Sequence, residues 1–402
     1  MQTVGAEASF GVLLGVDGID RRRSGVGRVM LEMVRHLPGS ERLAALSLVV
    51  GNVVMPAAMF DAIAEPCEAR PPDASPGIIH HLARHCPALL ALHGWRRRRR
   101  LDRAARDMSH RTGRAVLYHE TNMIARPFTG PTVVTMHDLS WRAHPELYPP
   151  TLVAWIERRL PATVRQATRF VSVSEFTART MVAELGIDRR RIDVVSPGVS
   201  PLFRPIPARE AAPVLARFGL PDRGYTLAVS TVEPRKNFGR LLAAHARLPT
   251  ALRVRTPLVI AGGRGWGHTL DDDAARRAQA DGTLRLLGHV PDADLVALYA
   301  RAAVVAYPSL YEGFGLPVLE AMACGTPVVT SDGTALRDTA GDAALLVDPL
   351  DTDAMSGALR HVLEDTALAE TLRVRGVLRA ARFSWDRMAT GMINSWRTTL
   401  AA

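Results

Sequence analysis

Cysteines, aromatic residues and long apolar runs are scarce in this 402-residue sequence. The three cysteines, Cys67, Cys86 and Cys324, are odd in number and far apart, which argues against a disulfide framework and a zinc site. Aromatic residues make up 5% of the chain, so we expect cores of Ala, Val and Leu. No run reaches the roughly 18–20 apolar residues that a spanning helix needs. The N-terminus lacks a basic stretch before an apolar one, so we expect no secretory signal and a reducing, cytoplasmic location.

Lysine is nearly absent as well, because Lys236 is the one lysine among 50 basic residues. Codon bias is sufficient to explain the excess of arginine. A lysine kept among so many arginines can also mark a place where a compact ammonium is needed and a planar guanidinium does not substitute. Lys236 is therefore a candidate functional residue, with chance as the alternative.

Positive charge is concentrated in one segment of the first half. The net charge is +10, and residues 70–114 hold 11 arginines against 3 acidic residues. Five of these arginines are consecutive, Arg96–Arg100, and they follow Trp95. Arginines beside apolar side chains can hold a protein on an anionic membrane surface, here the inner face of the plasma membrane. A solvated helix face is the alternative, and nucleic acid is not expected because no recognition motif accompanies the charge.

Strands and helices alternate along the whole chain, and its length favours two domains of roughly 200 residues each. In the first half, apolar runs predict strands at 10–16, 46–54, 115–118, 132–136 and 192–195, with another strand ending near 172–174. In the second half they predict strands at 225–230, 258–261, 285–287, 304–307, 328–330 and 344–347. Continuous apolar strands between helices are typical of parallel sheets covered on both faces, so we predict an α/β protein with two Rossmann-like domains. Four prolines within 201–213 predict an extended junction between a domain at 1–200 and a domain from 201 onward.

Ligands of such sheets bind beyond the carboxyl ends of the strands, so the loops there are the candidate site. The most informative loop is YPSLYEGFGLPVLEAMACGTPVVT at 307–330. Glu312 lies in the loop after a predicted strand, and Glu320 follows in the first turns of a predicted helix. Gly315 opens the amides of that helix start to an anion or a sugar hydroxyl. A carboxylate that accepts two vicinal hydroxyls is a suitable partner for a ribose or a hexose.

The spacing of the two glutamates, E-x7-E in EGFGLPVLEAMACGTPVV, resembles the signature of family 4 retaining glycosyltransferases, which have the GT-B fold. Residues 230–237 (STVEPRKN) resemble the donor-phosphate loop of that family, and 287–290 (LGHV) resemble its nucleobase-binding turn. Residues 135–139 (TMHDL) resemble a branch rich in mannosyltransferases. Residues 383–385 (FSW) resemble the start of a C-terminal helix, 383–402, that crosses back to the first domain and leaves 201–382 as the second domain. The resemblance covers nearly the whole chain and is weakest over 55–114.

The resemblance implies a role for each matching residue. The residues assigned to catalysis are His137, Arg235, Lys236 and Glu312. The residues assigned to donor binding are Gly25, Gly27, Arg235, Lys236, Val290, Gly313, Phe314, Gly315, Leu316 and Glu320. Arg235 and Lys236 are expected to offset the negative charge of a departing diphosphate. Glu320 is expected to hold the ribose and Glu312 the donor sugar, with the Val290 backbone at the base.

The first domain is expected to complete this site and to bind the acceptor. His137 is placed near the transferred sugar, and the Gly25–Gly27 loop near the pyrophosphate or the acceptor, because glycine lets the backbone approach closely. The expected acceptor is a glycan or a polyprenyl-pyrophosphate-linked glycan. The run Asp271–Asp273 is more typical of a helix start than of a metal site. The resemblance implies no metal and no cofactor besides the donor, for which GDP-mannose is favoured over UDP-hexoses.

Retention through a covalent intermediate requires a carboxylate nucleophile on the far face of the sugar, and the sequence nominates none. Same-face attack, with the departing phosphate oxygen taking the acceptor proton, is therefore the favoured mechanism. A phosphorylase, a sugar-nucleotide epimerase and a non-catalytic binding partner share this architecture. A pyridoxal-dependent phosphorylase is disfavoured because the one lysine lies in the phosphate loop. A non-catalytic partner is disfavoured because the charged motif residues are all present: Arg235, Lys236, Glu312 and Glu320.

Overall fold

The computed structural model describes residues 9–17, 25–37, 40–60, 87–267 and 270–402, with the side chains of 87–93 left aside. Cys67 and Cys86 lie outside these residues, whereas Cys324 is a buried free thiol in the second half. Each half is built around one sheet, so the predicted α/β class with two parallel sheets is confirmed.

The first sheet has the strand order β3-β2-β1-β4-β5-β6-β7. Its strands are β1 (Phe10–Gly15), β2 (Leu43–Val50), β3 (Val53–Pro56), β4 (Val116–Glu120), β5 (Thr132–Met136), β6 (Arg169–Ser172) and β7 (Ile192–Val194). All neighbours pair in parallel except β2 and β3. The single strand predicted at 46–54 is therefore wrong. Gly51 adopts a left-handed conformation (φ +56°), which turns the chain so that Val53 pairs with Val50.

The second sheet is parallel throughout, with the order β10-β9-β8-β11-β12-β13. Its strands are β8 (Thr226–Val229), β9 (Leu258–Ala261), β10 (Leu284–Gly288), β11 (Val304–Tyr307), β12 (Val328–Ser331) and β13 (Leu345–Val347). Buried side chains on both faces of these strands belong to two separate apolar clusters, as expected for a sheet covered by helices on each side.

The helices of the first half are α1 (Gly25–His36), α2 (Pro87–Thr112), α3 (Ser140–Ala143), α4 (Pro150–Gln166) and α5 (Glu175–Leu185). Those of the second half are α6 (Ala208–Phe218), α7 (Phe238–Ala246), α8 (Thr250–Arg255), α9 (Asp273–Ala280), α10 (Asp292–Ala300), α11 (Leu316–Ala323), α12 (Ala335–Ala340), α13 (Thr352–Glu364) and α14 (Thr366–Ala380). The helix start expected at Asp271–Asp273 is present, with the Asp272 carboxylate accepting from the amide of Ala275 at 2.8 Å.

The proline-rich junction is extended only in part. Helix α6 begins at Ala208 and contains Pro213, so an extended chain over all of 201–213 is wrong. Ala211 and Leu215 of α6 are buried in the core of the second half. Burial of this apolar face outweighs the one backbone hydrogen bond that proline removes.

The last helix, α15 (Trp385–Ala401), packs on the first half. Trp396 is fully buried, and its indole nitrogen donates to Nδ1 of His119 in β4 at 3.0 Å. A Cβ on Gly198 would lie 2.2 Å from the backbone nitrogen of Trp385, so the approach of the helix start to the end of the first half requires glycine. The chain thus returns to its first sheet after completing the second.

Candidate active site

The two halves enclose one cavity of about 850 Å³. The first half contributes the start of α1 (Gly25, Val26, Arg28 and Val29) and residues 137–138 to its lining, and the second half contributes parts of 229–236, 261–264, 289–295 and 307–320. Of the residues assigned from the sequence, His137, Arg235, Lys236, Glu312, Gly25, Val290, Gly313, Phe314, Gly315, Leu316 and Glu320 line this cavity. Gly27 does not: it is buried within α1.

The loop after β8 forms a single helical turn at Pro234–Lys236 and is held from two sides. Asn237 adopts a left-handed conformation (φ +62°), and its side-chain amide donates to the carbonyls of Pro308 at 3.1 Å and Pro349 at 2.7 Å. The amide of Leu310 donates to the Arg235 carbonyl at 2.9 Å. The loop therefore has a fixed shape, which Asn237 maintains by its hydrogen bonds to backbone carbonyls of the second half.

Arg235, Lys236 and Glu312 form a compact charged cluster on the cavity wall, next to Glu233, which lies 2.9 Å from Arg235. Lys236 Nζ lies 2.6 Å from Glu312 Oε1, and Arg235 Nη1 lies 3.0 Å from Glu312 Oε2. The Tyr307 hydroxyl is 2.9 Å from the ammonium and 3.0 Å from Glu312 Oε1. Glu312 thus holds both cations side by side.

Ionisation of this cluster follows from its mutual contacts. Burial raises the pKa of Glu312, but Arg235 and Lys236 together outweigh burial and lower it to about 2. Burial and Arg235 lower the pKa of Lys236, whereas Glu312, Tyr307 and Glu233 raise it, and the result is above the ordinary value. Both cations and the carboxylate are therefore charged at neutral pH, with a net charge of one positive unit for the three.

Replacing Glu312 with glutamine should destabilise the fold most at neutral pH. The pKa of Glu312 falls from 4.5 to about 2 on folding, so its charge stabilises the folded state above pH 4.5. That contribution is lost as the pH falls from 4.5 toward 2, and the shift corresponds to about 3 kcal/mol. Urea denaturation should show a larger deficit for Glu312→Gln at pH 7 than at pH 3. The exposed Glu370→Gln serves as control, and equal deficits for Glu312→Gln at both values would contradict this assignment.

The second carboxylate, Glu320, lies on α11 and is 4% exposed. Its Oε2 accepts from the Tyr299 hydroxyl at 3.0 Å, and its Oε1 accepts from the guanidinium of Arg28. Arg28 also lies 2.6 Å from Oδ1 of Asp292 at the start of α10. Glu320 is thus fixed by one residue of its own half and by one residue of the first half.

The start of α11 also faces the cavity. Gly315 precedes the helix with φ +104°, and Pro317 occupies its first turn. A side chain at Gly315 would be strained by that φ and would meet Leu336 at 2.4 Å. Phe314 is anchored by its ring against Phe383 at 5.7 Å. The positive end of the α11 dipole is therefore presented to the cavity by a rigid loop, an arrangement that favours an anion or a sugar hydroxyl.

At Gly313 the backbones of the two halves lie close together. A Cβ there would lie 1.7 Å from the carbonyl oxygen of His137 and 2.9 Å from the side chain of Asp138. The Thr177 hydroxyl of the first half also lies 3.3 Å from the Gly313 carbonyl oxygen. The lack of a side chain at Gly313 lets the loop between β11 and α11 rest directly on the backbone of the first half.

His137 is a neutral imidazole with a fixed tautomer. Burial lowers its pKa, and its Nε2 donates to the carbonyl of Thr121 at 2.8 Å. The proton is therefore on Nε2 and the lone pair on Nδ1, which suits acceptance of a hydrogen bond from a sugar hydroxyl. A role as a general acid is disfavoured by the same observations.

Two further assigned residues, Val290 and Gly25, also line the cavity. Val290 is buried and follows Gly288, which ends β10 with φ +69°. Gly25 is the first residue of α1, and a Cβ on it would meet nothing within 4 Å. Among the described residues, no internal contact therefore requires glycine at residue 25.

Sequence reasoning gave no role to four residues that shape the site: Arg28, Asp292, Tyr299 and Tyr307. Arg28 and Glu320 are 292 residues apart, and no local pattern links them. Tyr299 and Tyr307 lie in apolar stretches of the sequence, which predict only that they are buried. Their hydroxyls nevertheless contact the site carboxylates, Tyr299 that of Glu320 and Tyr307 that of Glu312. Within the described residues, no group of three or more His, Cys, Asp or Glu side chains is placed to hold a metal ion.

None of the helices in the described ranges combines the length and apolar character needed to cross a membrane.

The chain is similar to known proteins along nearly its whole length. Residues 23–201 match the Glycosyltransferase Family 4 model, and residues 217–377 match the Glycosyl transferases group 1 model. The O-antigen chain mannosyltransferase B of Escherichia coli is 34% identical over 387 residues, which cover 96% of this chain and 99% of that protein. The D-inositol 3-phosphate glycosyltransferase of Salinispora arenicola is 37% identical over 257 residues, 60% of this chain and 56% of that protein.

A solved structure agrees with the two-domain architecture. HepE of Anabaena, in complex with UDP-glucose, matches with a TM-score of 0.68 at 18% identity, over 98% of this chain and 100% of that one. At this identity the likeness concerns the fold, in which two Rossmann-like domains face each other across a cleft. Together with the 34% identity along nearly the full length of a mannosyltransferase, it shows that the chain is a family 4 glycosyltransferase with the GT-B fold.

Proposed function

We propose that this enzyme transfers a hexose, with retention of configuration, from a nucleotide sugar to a glycan or polyprenyl-pyrophosphate-linked glycan during cell-surface polysaccharide synthesis. The observation that carries the proposal is the pairing of Arg235 and Lys236 with Glu312 in the same cavity as Glu320. A cationic pair at one end and a buried carboxylate at the other suit the diphosphate and the ribose of one nucleotide. Mannose from GDP-mannose is the favoured donor, supported by the identity to a protein named as a mannosyltransferase.

Charge neutralisation is the main catalytic contribution in this proposal. As the bond between the sugar C1 and the phosphate oxygen breaks, negative charge grows on the diphosphate. Arg235 and Lys236 are already desolvated and held by Glu312, so they stabilise that charge with little reorganisation. The α11 start adds backbone dipoles pointing to the same cavity. These groups take the part that a divalent cation plays in other transferases, and the enzyme is proposed to work without metal.

Same-face attack is the proposed route to retention. The acceptor oxygen forms a bond to C1 on the face that the phosphate leaves, and the acceptor proton passes to the departing phosphate oxygen. Among the described residues, each carboxylate that lines the cavity already has a partner: Asp138 accepts from Ser140, and Glu233, Asp292, Glu312 and Glu320 contact arginines. These contacts support the absence of a free carboxylate nucleophile. Trapping of a covalent glycosyl-enzyme on an Asp or Glu would overturn this route.

A panel of nucleotide sugars tests the proposed donor. The enzyme is incubated with GDP-mannose, UDP-glucose, ADP-glucose and TDP-glucose, and released nucleotide is measured with and without an acceptor glycan. We expect GDP release from GDP-mannose that increases with acceptor. Thermal unfolding with GDP, UDP, ADP and TDP gives an independent ranking, since a nucleotide that binds the folded state raises its midpoint. Release from UDP-glucose alone would replace the donor with a UDP-hexose, and release from none of the four would reject the transferase proposal in this form.

A basic aromatic face on the first half is the proposed membrane contact. On α2, Trp95 is 48% exposed and carries the Arg99 guanidinium 3.9 Å above its ring. On α4, Trp155 is 41% exposed and carries Arg159 at 4.6 Å. Burial, Arg158 and Arg97 lower the pKa of Arg159, so the arginines of the two helices lie within electrostatic reach of one another. Exposed indoles beneath guanidinium groups suit the interface of an anionic bilayer, where the acceptor lipid would be anchored.

Substituting Arg96–Arg100 with serine should abolish binding to anionic vesicles. At about 1 kcal/mol per basic residue near the surface, the loss should be at least about 100-fold. Co-sedimentation with vesicles of equimolar phosphatidylglycerol and phosphatidylcholine measures it. A matched control removes five exposed arginines of the second half: Arg247, Arg276, Arg360, Arg375 and Arg382. Equal sedimentation of the Arg96–Arg100 variant and the wild type would remove the membrane proposal and leave a solvated helix face.

A further inference from the structure

Arg28 crosses the cleft between the two halves. It lies in the second turn of α1, and its guanidinium contacts two carboxylates of the second half, Glu320 on α11 and Asp292 on α10. Its side chain is 14% exposed, and the guanidinium carbon lies 5.6 Å from the centre of the Phe203 ring. A buried guanidinium with two carboxylate partners has a fixed position, because each contact limits rotation about its long side chain.

Glu320 lines the cavity and keeps acceptor capacity that the hydrogen bonds with described residues do not use. Each carboxylate oxygen accepts about two hydrogen bonds. Arg28 uses one position on Oε1, and Tyr299 uses one on Oε2. One acceptor position is left on each oxygen, and two adjacent acceptor positions match the two vicinal hydroxyls of a ribose.

We propose that Arg28 is a positioning residue, which orients and charge-compensates Glu320 from across the cleft, so that the ribose subsite is complete only when the first half is in place. The inference rests on the proposed function, in which Glu320 receives the ribose. It adds that nucleoside recognition is shared between the halves, although the phosphate cluster belongs to the second half alone. Nucleotide affinity is then coupled to closure of the cleft.

The groups around Glu320 make this role measurable through pH. Burial raises the pKa of Glu320, and Arg28 is the largest opposing influence. Tyr299 also lowers it, and Asp292 raises it, whereas Cys324, the residue directly after α11, lies near Glu320 as a neutral thiol. Without the Arg28 charge, burial and Asp292 act with less opposition and the pKa of Glu320 rises further. A protonated Glu320 is a weaker acceptor, so ribose binding should fail progressively as the pH decreases.

The test is a titration of five chains with GDP and UDP and with their 2′-deoxy forms, at pH 8 and pH 6. The chains are the wild type, Arg28→Met, Arg28→Lys and Glu320→Gln, with Arg35→Met as the control on an exposed part of α1. Arg28→Met should weaken binding of the ribonucleotide about tenfold at pH 8, the effect of one charge-assisted hydrogen bond. The deficit should be larger at pH 6, and Arg28→Lys should restore part of it.

The 2′-deoxy forms distinguish a positioning role of Arg28 from a general loss of stability. Arg28→Met should lose most of the wild-type preference for ribonucleotide over 2′-deoxynucleotide, and Glu320→Gln should lose it as well. A loss of stability alone would weaken both ligands equally. Unchanged ribonucleotide affinity in a folded Arg28→Met chain, or a full 2′-hydroxyl preference, would overturn the inference. Failure of the wild type to bind either nucleotide, or a full preference in Glu320→Gln, would instead overturn the proposed function.

Discussion

Replacing Lys236 with alanine should reduce kcat by about 100- to 1000-fold, the typical effect of removing one preorganised group that stabilises transition-state charge. Lys236 is buried and contacts Glu312 at 2.6 Å and the Tyr307 hydroxyl at 2.9 Å. Its ammonium is therefore held at one position in the cavity before the diphosphate begins to leave. Initial rates of nucleotide release at saturating donor and acceptor measure the effect. A folded Lys236→Ala chain with a rate within about threefold of the wild type would contradict the assignment.

Two further variants define what Lys236 supplies. Arg190→Ala removes a cation that is 90% exposed in the first half, and its kcat should equal that of the wild type. Lys236→Arg retains the charge but introduces a planar group with a different arrangement of donors where a compact ammonium fits between Glu312 and Tyr307. It should recover only a small part of the rate. Full recovery would mean that arginine serves equally well and that the single lysine of this chain is a matter of chance.

Replacing Gly313 with alanine should lower kcat/KM for transfer by about 100-fold, since a displacement near 1 Å can cost that much when reacting groups must be aligned. The new methyl group would meet the His137 carbonyl oxygen at 1.7 Å, and neither this backbone oxygen nor a Cβ fixed to the Gly313 backbone can rotate away. The two halves would have to move apart, which separates Glu320 from Arg28 and the loop between β11 and α11 from His137. Steady-state kinetics together with a thermal unfolding midpoint distinguish misalignment from a loss of folding.

Gly357→Ala is the matched control for Gly313→Ala. Gly357 lies in α13, and a Cβ there meets nothing within 4 Å. Alanine is also favoured over glycine inside a helix by roughly 0.5–1 kcal/mol. The control should keep full activity with an equal or higher unfolding midpoint. Wild-type kinetics in Gly313→Ala would show that the contact between the halves is not needed for transfer.

Much of this site can be predicted from local sequence, because the loops that follow parallel strands meet at one edge of a sheet. Glu312, Gly315 and Glu320 lie within one segment, and Lys236 comes from the loop after a neighbouring strand. Their common cavity could therefore be anticipated from strand positions and from the family resemblance. Their individual roles remain proposals that the variants above test.

Contacts between the halves could not be predicted in the same way. Arg28 has the same residue type as 48 other positions in the chain, and only the three-dimensional placement of α1 brings its side chain to Glu320 and Asp292. In the sequence, Gly313 is one of two glycines beside Phe314. Its proximity to the His137 carbonyl, which leaves no space for a side chain, follows only from the three-dimensional structure. The direct pairing of Glu312 with both cations was likewise hidden, because spacing along a chain does not give the direction of a side chain.

Local errors in the fold have a related cause. The apolar run at 46–54 contains Gly51, whose left-handed conformation converts one expected strand into an antiparallel pair. The prolines at 201–213 indicated extended chain, but burial of Ala211 and Leu215 favours a helix from Ala208 onward. In both places a tertiary contact or a single backbone conformation outweighs the average tendency of the residues nearby.

A crystal structure with the nucleoside diphosphate that raises the unfolding midpoint most tests the central claim most directly. We predict β-phosphate oxygens within hydrogen-bond distance of Arg235 and Lys236, and both ribose hydroxyls on Glu320. A nucleotide bound elsewhere, or one whose phosphates face away from Lys236, would contradict the account of how this enzyme holds its donor.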